Sequence, residues 1–409
     1  MRTTKVKSPD PGKANQRMSE HSLRVALVAG PMYDGLYKSL PEFSKASGVQ
    51  VEVGYHGSHP QLNAHLASLA QPPYDLVSTH TKYAPSQLSF LAPLDPVEDK
   101  LETSQFYAPL IDLAKIAGRL YGIPRNIDVK LLHYRTDLVN RVPTNWSELA
   151  ETATALSTRT GSYGFVFTGM ESGLFGMFYE LAEMGGAHLF PDSLAPSLNN
   201  AGGRWALGII RELYRSGAVP EQVIDWHYDE AHACFRDGHA AMICDWPGYY
   251  GAYRDAAMSK VQQSFGLARM PAGPSGLHRA YSGSHTFALT RQGISKLAAV
   301  ELLRFLTSAG SQLSEARQGS VPPRPAVLST VQTEADAFGA GRWKLLDQVI
   351  AHDMLIPPRL SYYPEIEEIL WRTVRSAMTG EIDIEPALES MQARIVETHQ
   401  RHAPVRKAQ

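Results

Sequence analysis

The densest group of residues that could do chemistry is one short stretch of carboxylates and imidazoles. Such side chains serve as metal ligands and as general acids or bases. Their spacing follows no regular ligand pattern, and acidic residues are also stabilised by the dipole at the start of a helix. We therefore interpret the stretch as a helix start and keep metal ligation as the alternative. The residues concerned are Asp225, His227, Asp229, Glu230 and His232.

Two further pairs of residues could be reactive. His56 and His59 lie near the end of a predicted strand, where we expect surface loop residues and keep ligand binding as the alternative. Cys234 and Cys244 could form a disulfide, but two free thiols are the favoured interpretation. A chain with two cysteines cannot be a disulfide-rich scaffold or hold a four-thiolate zinc site.

The compact motifs of common enzymes are missing from the sequence. It contains no G-x-S-x-G elbow, H-E-x-x-H, C-x-x-C or G-x-G-x-x-G. Because many active sites assemble from distant residues, this excludes only the simplest routes to an enzyme. We accordingly expect a protein that is not an enzyme, with no catalytic residue, no metal and no cofactor.

The composition is that of an ordinary globular protein. The 409 residues are 44% hydrophobic and 20% charged, which excludes a wholly disordered chain and suggests two or three domains. Because 39 basic residues nearly balance 41 acidic ones, no global attraction to nucleic acid or anionic lipid is expected. No apolar run is long enough for a membrane-spanning helix. Residues 1–22 are expected to form a disordered leader, and the first apolar run, 25–29, is too short for a secretory signal.

Apolar periodicity predicts that strands and helices alternate over residues 23–78. Strand patterns at 23–29, 49–55 and 75–78 enclose helix patterns at 36–46 and 62–69. This order predicts a parallel sheet covered by helices. The later part of the sequence predicts strands at 118–124, 163–168, 240–244 and 285–289, and helices at 146–156, 173–184, 199–214, 230–235, 295–307, 365–378 and 385–401.

Four stretches carry recognisable motifs. Residues 121–124 read YGIP and are followed by VPTNW at 142–146, and residues 235–242 read FRDGHAAM. Residues 282–288 read SGSHTFA before VPPR at 321–324, and residues 363–366 read YPEI. In this order and at these separations, the chain resembles the extracellular solute-binding proteins of ABC importers. It is most similar to the sugar-binding group that includes maltose-binding protein.

The resemblance implies an α/β periplasmic-binding-protein fold of type II, in which two discontinuous lobes enclose a ligand cleft. It places 23–127 and 285–330 in the first lobe, 130–281 and 331–400 in the second, and 401–409 in a tail. The implied function is to capture a carbohydrate or polyol by hinge closure and to deliver it to the membrane subunits of an ABC transporter. It also implies a bacterial, monomeric, periplasmic or cell-surface protein that binds no nucleic acid.

Predicted strand ends supply the first ligand-binding candidates. Ligands of open α/β sheets bind beyond the carboxyl ends of the strands. This rule favours Trp246, which follows a strand and could stack on the apolar face of a sugar, although core packing is the alternative. Tyr33, His80 and Glu171 are further candidates at predicted strand ends.

The implied crossings between the lobes supply the remaining candidates. Asn126 and Asp128 lie on the first crossing, where their side chains can hydrogen-bond hydroxyl groups, with a hinge role as the alternative. The returning crossing contributes Gly283, Ser284 and His285, with backbone amides exposed to a ligand at Gly283. Arg324 falls where the family often places a loop at the cleft edge, and a surface position is its alternative.

Two other functions stay open. Lys82, Arg125, His285 and Arg324 all fall near predicted cleft edges, and their convergence would favour an anionic sugar acid or a phosphorylated polyol. Since no secretory signal is visible, a cytoplasmic ligand sensor or enzyme on the same fold is the second alternative. No helix-turn-helix pattern precedes residue 23, which argues against a DNA-binding regulator.

Overall fold

The computed structural model of the chain describes residues 22–30, 33–191, 193 and 195–403. Residues 1–21 of the expected leader lie outside this part of the chain, as do Pro31 and Met32 and the end of the expected tail at 404–409. Ser22, the last residue of the predicted leader, belongs instead to the first strand. Arg401 and His402, the first residues of the predicted tail, belong instead to the last helix.

Strands and helices alternate in the first part of the chain, and helices dominate its end. The strands are β1 (Ser22–Val28), β2 (Gln50–Gly57), β3 (Leu76–His80), β4 (Lys115–Ile116), β5 (Arg119–Leu120), β6 (Ile123–Pro124), β7 (Leu131–Arg135), β8 (Met242–Asp245), β9 (Phe265–Ala268), β10 (Ala280–Tyr281), β11 (His285–Leu289) and β12 (Met354–Leu355). The helices are α1 (Asp34–Ser47), α2 (His59–Ala67), α3 (Ala108–Leu113), α4 (Trp146–Thr160), α5 (Glu171–Gly185), α6 (Ala201–Arg215), α7 (Tyr228–Arg236), α8 (Tyr250–Arg254), α9 (Leu297–Leu306), α10 (Ala309–Arg317), α11 (Pro325–Glu334), α12 (Ala337–His352), α13 (Tyr363–Thr379) and α14 (Ile384–His402).

Five strands form the first sheet, in the order β2-β1-β3-β11-β6. β1 pairs in parallel with β2 and with β3, which confirms the parallel arrangement predicted for the start of the chain. β11 runs antiparallel to both β3 and β6. The carboxyl ends of β1, β2, β3 and β6 therefore lie at one edge of the sheet, and β11 begins at that same edge.

The second sheet is smaller and antiparallel, with β7 between β8 and β9. The prediction of a strand at 163–168 is wrong, since only isolated bridges occur there, at Tyr163 and Val166. The reason is visible in the backbone hydrogen bonds. Phe165 N–H donates to the carbonyl of Ala218, whereas Val166 N–H donates to the carbonyl of Met242. This buried extended segment therefore joins two different neighbours and forms no continuous ladder.

Two sets of buried apolar residues accompany the two sheets. The first core contains residues such as Val25, Leu76 and Phe287 from the five-stranded sheet. The second core surrounds helices α4 to α6 and α13. Helix α11 also packs in the second core, although the sequence assigns 285–330 to the first lobe. The exact residue limits of the lobes therefore stay a prediction.

The chain crosses between the two cores through paired backbone segments. Residues 125–130 lead from β6 to β7, and residues 282–284 return from β10 to β11. Asp128 N–H donates to the Gly283 carbonyl at 2.9 Å, and the two residues form an antiparallel bridge. Ile127 N–H of the first crossing donates to the carbonyl of Val321, a residue of the second core, at 2.9 Å.

Two smaller expectations can be compared with the structure. Cys234 and Cys244 are free thiols, which confirms the favoured interpretation. None of the helices in the described part of the chain combines the length and the apolar character that a membrane crossing requires.

Candidate functional site

A cavity of about 660 Å³, measured together with its opening to solvent, lies between the first sheet and the second core. The side of the first sheet contributes Tyr33, two imidazoles and the side chain of Lys82, and the opposite side contributes mainly aromatic rings. Asp128 on the first crossing and His285 at the start of β11 also line the cavity. This is the arrangement expected of a cleft between two lobes.

The strand ends of the first sheet bring three histidines to this cavity. His80 is the last residue of β3, and it is paired with His285, the first residue of β11. His59 follows the end of β2 and opens helix α2, which is capped by Ser58 through a hydrogen bond from Gln61 N–H. Because the strands end at one edge, residues far apart in sequence become neighbours.

His59, His80, His285 and Asp128 form a compact group that we call the histidine cluster. Asp128 Oδ2 lies 3.1 Å from His285 Nε2 and 3.4 Å from His80 Nε2. His59 Nε2 contacts His285 Nδ1 directly. The other carboxylate oxygen, Asp128 Oδ1, accepts a hydrogen bond of 2.7 Å from Asn126 Nδ2. Asp128 Oδ2 itself is buried and receives no hydrogen bond from the residues that the structure describes.

Burial sets the protonation of the histidine cluster. Desolvation raises the pKa of Asp128 to about 7, against the opposing effect of the Asn126 hydrogen bond. The same loss of hydration lowers the pKa values of His59, His80 and His285 well below the usual value for histidine. The three imidazoles are therefore neutral at neutral pH, and each offers one N–H donor and one nitrogen acceptor.

The opposite wall of the cavity is aromatic. Trp246 follows β8 and lies within 6.5 Å of the rings of Tyr228 and Tyr281, centroid to centroid. Tyr249 hydroxyl donates to Asp229 Oδ1 at 2.9 Å. An adjacent cavity of about 500 Å³ shares Ser172 and the rings of Tyr228, Trp246 and Tyr281 as part of its lining. Such rings can bind the apolar faces of a ligand while their polar edges bind hydroxyls.

The cations expected near the cleft already have carboxylate partners. Lys82 Nζ lies 2.7 Å from Glu367 Oε1 and donates to the Tyr281 hydroxyl at 2.9 Å. Arg125 forms a buried pair with Glu315 at 2.9 Å. Lys82 therefore lines the cavity with its charge neutralised.

A family model for bacterial extracellular solute-binding proteins matches residues 38–340. The chain belongs to this family. It is also 26% identical over 308 residues to a probable ABC transporter-binding protein of Deinococcus radiodurans, a match that covers 72% of each chain. The resemblance inferred from the four motif stretches is thereby confirmed.

Solved structures of the same type establish the fold. Maltose-bound MalE3 of T. maritima is 24% identical and superposes with a TM-score of 0.84, over 92% of this chain and 99% of that one. An ABC transporter solute-binding protein of Agrobacterium radiobacter, in complex with ribitol, is 21% identical with a TM-score of 0.80, over 92% and 98% of the two chains. This solute-binding protein has the two-lobed fold that the sequence predicts.

The remaining predicted site residues do not all line the cavity. Asn126 and Ser284 are buried behind it, where Asn126 Oδ1 accepts from His285 N–H at 3.0 Å and Ser284 Oγ donates to the Asn126 carbonyl at 2.7 Å. Gly283 allows close packing, because a Cβ there would lie 2.4 Å from His80 Cε1. Glu171 pairs with the cavity residue His227 at 3.1 Å.

Arg324 lies outside the cavity. Its side chain is buried, and its guanidinium donates to the Thr307 carbonyl and lies 4.1 Å over the Phe106 ring. This guanidinium is thus fully used in packing and hydrogen bonding within the protein.

The acidic stretch around residue 230 begins a helix, as interpreted from the sequence. Glu230 Oε2 accepts from His227 N–H at 2.9 Å at the start of α7, and Asp225 pairs with Arg375. His232 is buried beside Asp245 of β8. Only His227 and Asp229 of this stretch reach the cavity.

Sequence reasoning missed several residues of the site. His59 was interpreted as a surface residue, but it belongs to the histidine cluster. Tyr228, Tyr249 and Tyr281 line the cavity without having been singled out. Tyr249 follows the predicted site residue Trp246 by three positions, and Tyr281 precedes the predicted site residue Ser284 by three. This closeness in sequence is the signal that could have identified the two tyrosines.

Proposed function

We propose that this protein captures a carbohydrate or polyol between its lobes and delivers it to the membrane subunits of an ABC importer. The observation that supports this best is the two-sided cavity. One side presents the neutral imidazoles of the histidine cluster, which can hydrogen-bond, and the other presents the rings of Tyr228, Trp246 and Tyr281. A polyhydroxylated neutral ligand matches both sides.

The ligands of structural neighbours point in the same direction. Proteins of this fold hold maltose and ribitol in the structures compared above. An anionic sugar acid is the weaker candidate here, because Lys82 and Arg125 are already paired with Glu367 and Glu315. A charged ligand would have to displace these carboxylates or stay without a counter-charge.

Family membership supports the wider setting. Extracellular solute-binding proteins act outside the cytoplasmic membrane, so we infer a periplasmic or cell-surface location and a permease complex as partner. We infer hinge closure about residues 125–130 and 282–284, with closure driven by the preference of the solute for the closed form. The bound solute should be released unchanged, which mass spectrometry of the recovered ligand checks.

A thermal-shift screen tests the proposed ligand class. The panel contains neutral sugars, polyols and sugar acids, each added to the full chain. A ligand at about 100 times its dissociation constant should stabilise the protein by about 2.7 kcal/mol. A response to sugar acids alone, or to no member of the panel, would contradict the proposal.

Trp246→Ala then tests the aromatic wall. Loss of a stacked ring should weaken the best ligand of the panel about 10- to 100-fold, or about 1.4 to 2.7 kcal/mol, in calorimetry. Trp205→Ala is the matched control, because Trp205 is a partly buried tryptophan of α6 that does not line either cavity. Equal affinity losses in the two variants would refute a specific role for Trp246.

A further inference from the structure

The histidine cluster has the chemistry of a metal site as well as that of a hydrogen-bonding surface. Three of its members, His80, His285 and Asp128, each offer one ligand atom, and these atoms all lie within 4.8 Å of one another. All three residues are buried, and all three line the cavity. We propose that His80 Nε2, His285 Nε2 and Asp128 Oδ2 bind one divalent transition-metal ion of the zinc class at the base of the cleft.

The distances between the ligand atoms fit a tetrahedral ion. With metal–ligand bonds of about 2.0–2.1 Å, two ligands of a tetrahedral site lie about 3.3 Å apart. The observed separations from Asp128 Oδ2 are 3.1 Å to His285 Nε2 and 3.4 Å to His80 Nε2. The two imidazole nitrogens lie within 4.8 Å of each other, so binding an ion would draw them closer together.

Asp128 Oδ2, which lies between the two imidazoles, has no hydrogen-bond donor among the described residues, and a metal ion could take that place. Asp128 is 4% exposed, and its Oδ2 receives no hydrogen bond from the described residues. Its other oxygen is held by Asn126, so Oδ2 is directed toward the two imidazoles. Arg125 and Lys82 act on Asp128 only from a distance, because its direct ion-pair partners among the described residues are the two imidazoles. A cation bound at Oδ2 would reduce the cost of burying this carboxylate.

The outer contacts of the two imidazoles differ. When His285 Nε2 binds an ion, its proton sits on Nδ1 and can be donated to His59 Nε2, which contacts that atom. This is the outer hydrogen bond that ligating histidines usually have. His80 Nδ1 instead accepts from the Lys82 amide at 3.1 Å, which places the proton of free His80 on Nε2. Ion binding must therefore break that hydrogen bond and move the His80 proton.

The ligand set selects the kind of ion. Two imidazoles and one carboxylate suit Zn²⁺, Co²⁺ or Ni²⁺, whereas Mg²⁺ and Ca²⁺ prefer oxygen ligands alone. Three protein ligands leave one tetrahedral position, and the cavity lies beside it. That position can take a water or an oxygen atom of a bound solute. The metal site does not depend on the solute being a carbohydrate.

Cobalt titration of the full chain without a histidine tag tests the site. After treatment with a chelator, addition of Co²⁺ should produce the visible absorption of a four- or five-coordinate ion, saturating at one ion per chain. Calorimetry with Zn²⁺ should give the same stoichiometry. Asp128→Asn and His285→Gln should each abolish the cobalt spectrum, and His59→Gln should weaken Zn²⁺ binding about 10- to 100-fold as an outer contact.

His56→Gln is the matched control, since His56 is an exposed histidine of β2 close in sequence to His59. It should bind both ions as the wild type does. A wild-type protein without the cobalt spectrum overturns the proposal, and so do Asp128→Asn and His285→Gln variants that keep it. Should either variant fail to fold, the wild-type spectrum and the His59→Gln titration still decide. The solute panel is run with and without chelator, so failure of the metal site is separable from failure of carbohydrate binding.

Discussion

The buried ion pair between Lys82 and Glu367 makes a strong quantitative prediction. Lys82 follows β3 at the cavity, whereas Glu367 lies on α13 in the second core, and their side chains are 5% and 8% exposed. Tyr83 hydroxyl donates to the second carboxylate oxygen of Glu367 at 2.5 Å. Glu367→Gln keeps the shape of the side chain and removes its charge, which leaves the buried Lys82 ammonium without its paired carboxylate.

The expected loss of stability can be bounded in two ways. Breaking one partner of a buried pair commonly costs about 3–5 kcal/mol. Lys82 can also avoid the penalty by releasing its proton. Bringing a lysine from its ordinary pKa of 10.5 to the neutral form at pH 7 costs about 5 kcal/mol, at about 1.36 kcal/mol per pH unit. We therefore expect a loss of about 3–5 kcal/mol in the free energy of unfolding at pH 7.

Equilibrium unfolding in urea measures this loss. Glu368→Gln is the matched control on the same helix, because Glu368 is 52% exposed and pairs with Arg372, and such pairs contribute about 0–1 kcal/mol. In Glu367→Gln, native Lys82 loses its proton at a lower pH than the unfolded chain does, so the stability of the variant rises with pH. At pH 9 the upper bound falls to about 2 kcal/mol.

Lys82→Met in the Glu367→Gln background should recover much of the stability, since it removes the unpaired charge. A loss in Glu367→Gln no larger than that in Glu368→Gln would refute the reasoning. A loss that is independent of pH and not recovered by Lys82→Met would show that packing, not charge, is responsible.

Two more perturbations test the packing of the lobes. Burial lowers the pKa of His133 to about 4. Between about pH 6.5 and 4 the unfolded chain therefore binds a proton at this residue and the native protein does not. The free energy of unfolding should fall by about 3 kcal/mol over this range. His133→Phe should remove this part of the pH dependence in urea unfolding, and parallel slopes in variant and wild type would contradict it. Gly283→Ala should cost about 1–3 kcal/mol, since its Cβ would meet His80. Gly208→Ala in α6 is the control, because a Cβ at that position would meet no atom within 4 Å. It should stabilise the protein by about 1 kcal/mol. Similar melting temperatures for the two variants would contradict the close contact at Gly283.

The sequence predicts the first sheet well because its signals are local. Buried strands and amphipathic helices alternate over residues 23–78, and each element satisfies its own pattern before any long-range contact is considered. The segment at 163–168 shows the limit of this reasoning. Its apolar run indicates burial correctly, but which backbone groups accept its hydrogen bonds depends on residues more than fifty positions away.

Helices α10, α11 and α12 were not predicted. Gly339 and Gly341 lower the helix propensity of α12, and Pro322 and Pro323 disfavour regular structure just before α11. These helices are stabilised by packing, such as the contact of Trp343 and Leu346 with the second core. Tertiary packing of this kind is not visible in local propensity.

The site was only partly accessible from sequence. Five of the residues predicted from strand ends and crossings line the cavity, namely Tyr33, His80, Asp128, Trp246 and His285. His59 was not predicted, because its partner His285 is 226 positions away and only the sheet edge brings the two together. Whether these residues contact the solute stays a prediction.

The two sides of the cavity differ in how freely they can change. Asp128 lies on the connecting segment 125–130, and His285 directly follows the connecting segment 282–284. The side chain of Asn126 donates to the Asp128 carboxylate and accepts from the His285 backbone N–H. A substitution there is expected to alter the proposed hinge and the proposed binding surface at once. Trp246 and Tyr228 lie on the opposite side of the cavity, outside these connecting segments. A relative that evolves to bind a different solute is therefore expected to change the aromatic wall first and to keep the histidine cluster.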